Sequence, residues 1–266
     1  MRKLWMVSLG LLLLAGCQSA DTIDGKDVAH LSLDLKADSS FAKTRAVNTS
    51  AYQDVNNYTV EVSKDGTVVQ RVLYGAMKLE QELVPGNYAI RAFYGENVAV
   101  GFDQLYVEGS TAFTLNKGEN RQVNFTCTPA NVKVNLRYSE DFFRFYSDCT
   151  VKLSTKHLNA PFVMAKADAA KDAFFRADAA GEVLTIAFEL KDMQGVIVTP
   201  QNFGAQTVTI RPRDFLTVTI RPKLVDIDGG KINGITVTID GSVTSQDIPI
   251  TIPDGYLPGN DTEAGN

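Results

Sequence analysis

Apolar and polar residues alternate one by one along much of this chain, and this two-residue period limits how it can fold more than any other feature. The stretches that carry it are 31–35, 58–62, 132–136, 208–210, 216–220 and 235–239. Successive side chains of a strand point to opposite faces of a sheet, so each stretch predicts a strand with one buried and one solvated face. We therefore expect antiparallel sheets rather than long helices.

Turn-forming residues separate these strands at short intervals, as at Lys64-Asp65-Gly66, Asn116-Lys117-Gly118 and Asp240-Gly241. Glycine, asparagine and aspartate adopt the backbone conformations of tight turns, so each cluster ends one strand and begins the next. Short strands with frequent turns favour an all-β fold with two tandem immunoglobulin- or transthyretin-like β-sandwich domains.

A single segment is a candidate helix, the alanine-rich stretch 165–180. Alanine favours helices, but Phe174 and Phe175 interrupt the run. The segment is predicted to be a loop or one short helix, and the phenylalanine pair can instead belong to a strand.

The amino terminus has the layout of a secretory signal. Basic Arg2 and Lys3 precede an apolar block from Val7 to Leu14, which is shorter than the roughly 20 residues of a membrane-spanning helix. Leu14-Ala15-Gly16-Cys17 resembles the bacterial lipobox, in which signal removal leaves a lipid-bearing cysteine at position one. We expect Cys17 to carry lipid that holds the protein at a membrane. The alternative is a soluble secreted protein whose Cys17 is unmodified.

The predicted layout has five parts along the chain. They are a lipoprotein signal peptide at 1–16, a lipidated tether at 17–27, a first β-sandwich at 28–128, a second at 129–224, and a C-terminal hairpin with a disordered tail at 225–266. The hairpin would join residues 235–239 to residues 248–252.

Charge and missing motifs exclude several classes of function. The formal net charge is -5, and no basic run is present, so no nucleic-acid partner is expected. The zinc motif HExxH and the nucleophile motif GxSxG are both missing. The two histidines, His30 and His157, have no ligand-type neighbour at useful spacing and are expected to be solvated or structural. We predict no catalysis, no metal and no cofactor.

Two cysteines remain once Cys17 is assigned to lipid. Cys127 and Cys149 lie in separate predicted strands, in a compartment that permits disulfides. A bridge between them and two buried free thiols are both compatible with the sequence, because cysteine is a common core residue.

Aromatic residues bear on glycan binding. Trp5 is the only tryptophan, and it is lost with the signal peptide. The densest remaining cluster comprises Tyr138, Phe142, Phe143, Phe145 and Tyr146. Most of these are expected in the core, with a surface role for some as the alternative.

Several motifs together resemble one family. They are residues 83–92 (LVPGNYAIRA), 106–115 (YVEGSTAFTL), 117–119, 123–127 and 130–134. Their order is similar to that of an uncharacterised family of Bacteroidetes lipoproteins with the architecture of fimbrillin-like adhesins. The resemblance covers roughly residues 28–225 and implies sandwich domains on the outer membrane.

The resemblance also implies a processing site. In fimbrillins, a trypsin-like protease cuts after an arginine that follows the first strand, and a strand from another subunit fills the groove that is left. Arg45-Ala46 lies at the matching place, and the donor strand could be Ile248–Ile252. The alternative is an ordinary loop arginine and an ordinary last strand.

These observations predict an outer-membrane lipoprotein, lipid-anchored and displayed on the cell surface. Its expected role is that of a non-catalytic adhesin or fimbria-associated module whose partners are fimbrial subunits or other surface proteins. The alternative role is glycan capture within a polysaccharide uptake system.

Overall fold

Strands make up almost all of the regular structure. The computed structural model describes residues 28–38, 40–41, 50–78, 80–169, 171–198, 205–224, 232–240 and 246–251. The strands are β1 (Ala29–Ala37), β2 (Thr59–Lys64), β3 (Thr67–Leu73), β4 (Glu80–Leu83), β5 (Gly86–Tyr94), β6 (Val100–Phe102), β7 (Val107–Leu115), β8 (Asn120–Pro129), β9 (Asn131–Tyr138), β10 (Asp148–Ser154), β11 (Phe162–Met164), β12 (Asp172–Arg176), β13 (Glu182–Lys191), β14 (Gln206–Ile210), β15 (Phe215–Leu224), β16 (Ile232–Asp240) and β17 (Gln246–Thr251). The all-β prediction is confirmed.

Helical structure in the described residues is short. It consists of α1 (Ser50–Gln53) and the 3-10 turns Val55–Asn57, Tyr74–Ala76, Phe142–Arg144 and Lys166–Asp168. None of these helices is long and apolar enough to cross a membrane.

The first sheet has the strand order β3-β2-β5-β7-β8-β1-β4. β7 and β8 pair at only two positions, Val107–Pro129 and Glu108–Thr128, so the sheet divides there into two halves. Gly109 lies at this corner, where a Cβ atom would come within 2.8 Å of the Thr126 carbonyl oxygen. A side chain at this position would force the two strands apart.

The two halves of the first sheet share one hydrophobic core. Leu33 on β1 and Ile90 on β5 both belong to it, which makes this part of the chain a sandwich. The β2–β3 hairpin turns at Asp65 and Gly66, whose φ angles of 49° and 84° are those of a tight hairpin turn. The turn predicted at these residues is confirmed.

A second core lies between two further sheets. One has the order β11-β10-β13-β14 and the other β17-β16-β15-β9-β12-β6, and Val134, Leu153, Ile186 and Val218 pack between them. The predicted C-terminal hairpin is present as β16 and β17, which extend the second of these sheets.

The alanine-rich stretch 165–180 is not a helix beyond the turn Lys166–Asp168. It continues as β12, and Phe174 and Phe175 belong to that strand. Both rings are buried, Phe174 in the first core and Phe175 in the second. Two adjacent side chains on opposite faces can both be buried in a strand that lies between two packed layers, and this burial overrides the helix propensity of alanine.

The two cores meet at β12, because Phe174 packs in the first core and Phe175 in the second. Lys133 on β9 is buried and forms a 2.9 Å ion pair with Asp172 on β12. β6 precedes residue 129 in the chain but pairs with β12, so both sides of that position contribute to one sheet. The domain boundaries at 128 and 224 stay predictions.

Candidate functional site

β1 is the element whose position bears most on function, and its sequence explains its burial. Leu31, Leu33 and Leu35 alternate with polar residues, and all three lie in the first core, whereas His30 and Lys36 are exposed. Burying a leucine side chain contributes roughly 2 kcal/mol. These three side chains anchor one face of the strand in the core.

β1 occupies an internal place in the first sheet, between β8 and β4. It pairs in parallel with β8 from His30–Asn120 to Ala37–Cys127, and antiparallel with β4 from Ala29–Leu83 to Ser32–Glu80. Within the described residues, the second half of β1 therefore has a neighbouring strand on one side only.

The side chain of Tyr74 takes the place of the missing neighbour. Its hydroxyl accepts a hydrogen bond from the Leu35 amide at 3.4 Å and donates one to the Leu33 carbonyl at 3.1 Å. Tyr74 is held in turn by its own amide, which donates to the Tyr58 carbonyl at 2.8 Å. One hydroxyl thus makes the donor and acceptor contacts that a residue of a parallel strand would make.

Replacing Tyr74 by phenylalanine is expected to lower the free energy of unfolding by about 1 kcal/mol and to speed hydrogen exchange of the Leu35 amide. The reason is that two backbone groups of β1 lose their partner. Tyr88→Phe is the matched control, because its hydroxyl bonds the Val84 carbonyl at 2.8 Å, away from β1. Equal exchange at Leu35 in both variants would contradict the role given to Tyr74.

The chain leaving β1 is bound to the second core. One guanidinium nitrogen of Arg213, Nη2, lies 2.7 Å from Asp38 Oδ2, 3.1 Å from Ser40 Oγ and 3.3 Å from the Ser40 carbonyl oxygen. Hydrogen bonds from Ser40, followed by the charge of Arg213, lower the pKa of Asp38. The Phe41 ring lies 5.9 Å from that of Phe174. Polar contacts therefore hold Asp38 and Ser40, and an apolar contact holds Phe41.

A charged cluster that no sequence motif indicates lies in the second sandwich. His157 Nε2 is 3.2 Å from both Asp178 Oδ1 and Glu182 Oε2, and Lys156 binds Asp178. The Glu182 side chain is only 2% exposed. The loop after β10 and the turn before β13 bring together residues that are far apart in the chain. His157 has no ligand-type neighbour at useful spacing in the sequence, but the fold brings two carboxylates to its ring.

In this cluster the pKa values of two carboxyl groups are shifted in opposite directions. Burial raises the pKa of Glu182, whereas a hydrogen bond from Lys156 lowers the pKa of Asp178. No three His, Cys, Asp or Glu side chains in the described part of the chain are grouped as ligands for a metal. Lys156 places a positive charge beside both carboxylates, since its Nζ also lies 3.9 Å from Glu182 Oε2.

Stability is expected to depend on pH through these two groups with opposite sign. A raised folded-state pKa means that the stability contributed by Glu182 is present at low pH and lost as pH rises through that pKa. Glu182→Gln should remove this loss. The stability contributed by Asp178 is instead lost as pH falls through its lowered pKa, and Asp178→Asn should remove that dependence. Urea unfolding of the wild type and both variants between about pH 2 and about pH 7 measures both contributions, as differences in unfolding free energy between wild type and variant. If the two differences change with pH in the same direction, the assignment is contradicted.

A family described as a domain of unknown function (DUF4493) matches residues 27–254. The chain belongs to this family. The predicted membership of an uncharacterised family is thereby confirmed. A comparison of the DUF4493 chain with curated proteins found no match.

Solved structures similar to the DUF4493 chain come from Bacteroides and Porphyromonas species. A candidate cell adhesion protein from Bacteroides eggerthii is 13% identical, with 81% of this chain and 96% of that chain covered and a TM-score of 0.44. The fimbrial anchor protein Mfa2 from Porphyromonas gingivalis is 8% identical, with 84% and 100% covered and a TM-score of 0.40. Candidate polysaccharide binding proteins from Bacteroides thetaiotaomicron are 11% identical, with 83% and 98% covered and a TM-score of 0.41. At these scores, none of the similarities decides function.

Some of the sites predicted from the sequence of the DUF4493 chain lie outside the described residues, and others lie in the two cores. Cys17, Arg45 and Ala46 lie outside the described residues, so they stay predictions. The possible disulfide is not formed, because Cys127 and Cys149 are both free and buried, one in each core. Burial raises the pKa of each thiol to about 12, which keeps both protonated and unreactive.

The aromatic cluster of the DUF4493 chain is part of its second core. Phe142 and Tyr146 are buried, and Tyr138, Phe143 and Phe145 pack against the same core. Their rings contact one another, as in the 5.0 Å pair of Tyr138 and Phe142. A sugar-stacking surface needs exposed rings, so this cluster supplies the core rather than a glycan site.

Proposed function

We propose that this DUF4493 protein is an outer-membrane lipoprotein, anchored through lipid on Cys17 and displayed on the cell surface. It acts as a non-catalytic adhesin or fimbria-associated module whose partners are other surface proteins. The observation that supports this most is the place of β1, a complete strand at the start of the fold that fills an internal position between β8 and β4.

Strand addition is the physical basis of the proposed assembly. Removing β1 would leave the β8 edge unpaired from Asn120 to Cys127 and would empty the core positions of three leucines. Exposed backbone groups beside apolar pockets bind an extended segment with apolar residues at alternate positions. A cut after Arg45 would release the strand at a point shortly beyond its end.

The C-terminal strand has the properties that a donor needs. Within the described residues β17 pairs with β16 alone and lies at the edge of its sheet. Its sequence alternates at Ile248, Ile250 and Ile252, which is the period that a groove emptied of leucines accepts. Pro249 lacks an amide hydrogen and is tolerated in an edge strand.

Metabolic labelling with a palmitate analogue tests the anchor. The wild-type protein should be labelled and Cys17→Ala should not, because the thiol forms the bond to lipid. Cys149→Ala is the matched control and should stay labelled. An unlabelled wild-type protein would remove the proposed anchor.

Amino-terminal sequencing of protein extracted from the cell surface tests the processing step. A fraction that starts at Ala46 is expected. Finding only chains that start at Cys17 would exclude strand release and leave an anchored adhesin whose first strand is permanent.

Glycan capture has one observation in its favour. A depression of about 360 Å³ beside the start of β1 is lined by His30, Ser32, Glu80, Asn120 and Gln122, among others. Amide, hydroxyl and charged side chains of this kind can hydrogen-bond sugar hydroxyls. Affinity electrophoresis in polysaccharide gels separates the two functions. Retention that Asn120→Ala abolishes would favour glycan capture, and unretarded migration in every gel would exclude it for those glycans.

A further inference from the structure

We propose that the second core locks the first strand in place. The lock consists of Arg213 and Phe174, which hold Asp38, Ser40 and Phe41 at the point where the chain leaves β1. This inference deepens the proposed function, because strand release would then require the two cores to separate locally.

The polar half of the lock is Arg213. One of its nitrogens contacts three oxygens of Asp38 and Ser40, within 3.3 Å or less. Nη2 carries two hydrogens, so the three oxygens share two N–H donors. Because 175 positions separate Arg213 from Asp38, the contact joins distant parts of the chain.

The backbone around Arg213 is fixed from the second core. Arg213 has a φ of 71°, a conformation that residues other than glycine rarely adopt. Its amide donates to the Asn131 carbonyl at 3.1 Å, and Asp214 Oδ2 accepts a hydrogen bond from the Arg211 amide at 2.8 Å. These hydrogen bonds hold Arg213 in a backbone conformation that is otherwise unfavourable. Its guanidinium is therefore already placed to contact Asp38 and Ser40.

The apolar half of the lock is Phe174. It belongs to β12, which is part of a second-core sheet, yet its ring packs in the first core. Phe41 is also buried there, and the two rings lie 5.9 Å apart. Phe41 cannot leave the core without exposing both rings to water, which opposes opening.

The consequence is that β1 and the second core are coupled. The first half of β1 is paired with a strand on each side. Its second half is held by β8, by the Tyr74 hydroxyl and by the contacts of Asp38, Ser40 and Phe41. Opening of β1 should therefore begin at its carboxyl end, and its frequency should depend on Arg213.

Hydrogen exchange of the intact, uncut chain, followed by mass spectrometry, tests the lock. Arg213→Ala should speed exchange of a peptide covering residues 33–41 by about three- to tenfold, since a partly exposed charged contact is lost. Asp38→Ala removes the Arg213–Asp38 ion pair, together with the bonds from Ser40 to Asp38 Oδ1. It leaves the Arg211–Asp214 turn untouched and should act in the same direction. The control is Arg71→Ala, an exposed arginine that pairs with Glu61 instead.

Unchanged exchange at residues 33–41 in both Arg213→Ala and Asp38→Ala would overturn the lock. So would an equal increase in Arg71→Ala, since the effect would then be general. Processing is a separate measurement. If exchange rises as expected while surface-extracted chains start only at Cys17, the lock stands and strand release fails.

Discussion

Replacing Phe174 by alanine is expected to lower the free energy of unfolding by about 3–5 kcal/mol. The ring is 1% exposed, and it carries the contact of β12 with the first core. Truncation leaves a cavity between two layers that belong to different sheets, where neither layer can move to fill it. Denaturant unfolding followed by fluorescence or circular dichroism measures the loss.

Phe175→Ala is the matched control for this prediction, because it removes the neighbouring ring from the second core instead. Both variants should be destabilised, but only Phe174→Ala should also speed exchange at residues 38–41. If Phe174→Ala lowers the free energy of unfolding by less than about 1 kcal/mol, the prediction is contradicted. Contacts other than Phe174 would then hold the two cores together.

Replacing Asp172 by asparagine is expected to lower the free energy of unfolding by about 2–4 kcal/mol. The change keeps the shape of the side chain but leaves Lys133, whose side chain is 7% exposed, without its carboxylate. The Lys133 ammonium also lies 4.4 Å from the centre of the Phe215 ring, a contact that does not replace an ion pair in a buried position. Thermal or denaturant unfolding measures the change.

Two comparisons make this prediction specific. Adding Lys133→Met to Asp172→Asn should restore most of the loss, because the buried charge is gone. Glu189→Gln breaks the more exposed pair with Lys152, whose side chains are 42% and 33% exposed, and should cost under about 1 kcal/mol. Equal losses of unfolding free energy for Asp172→Asn and Glu189→Gln would show that burial does not make the Lys133–Asp172 pair more important for stability.

The strands were predictable because their signal is local. Alternation at Leu31, Leu33 and Leu35 identifies β1 and its buried face without knowledge of its neighbours. The turn at Asp65-Gly66 follows from residue types that tolerate positive φ. Such features depend only on a few consecutive residues, so they can be predicted from the sequence.

The pairing of strands was not predictable in the same way. Nothing near Phe174 indicates that β12 lies between two cores, and the alanines around it favour another structure. The Tyr74 hydroxyl, the Arg213 contacts and the His157 cluster each join residues far apart in the chain. Their geometry depends on the completed topology, so a single sequence carries no local sign of them.

The parallel pairing of β1 with β8 also has a consequence for how the protein is made. The leading strand cannot take its place until residues 120–127 have emerged and been positioned, since its main partner lies that far downstream. Contacts between distant residues form late and slow the search for the native state. As the chain is made, β1 therefore stays without its main partner, and its backbone edge is open to other chains, until β8 has formed.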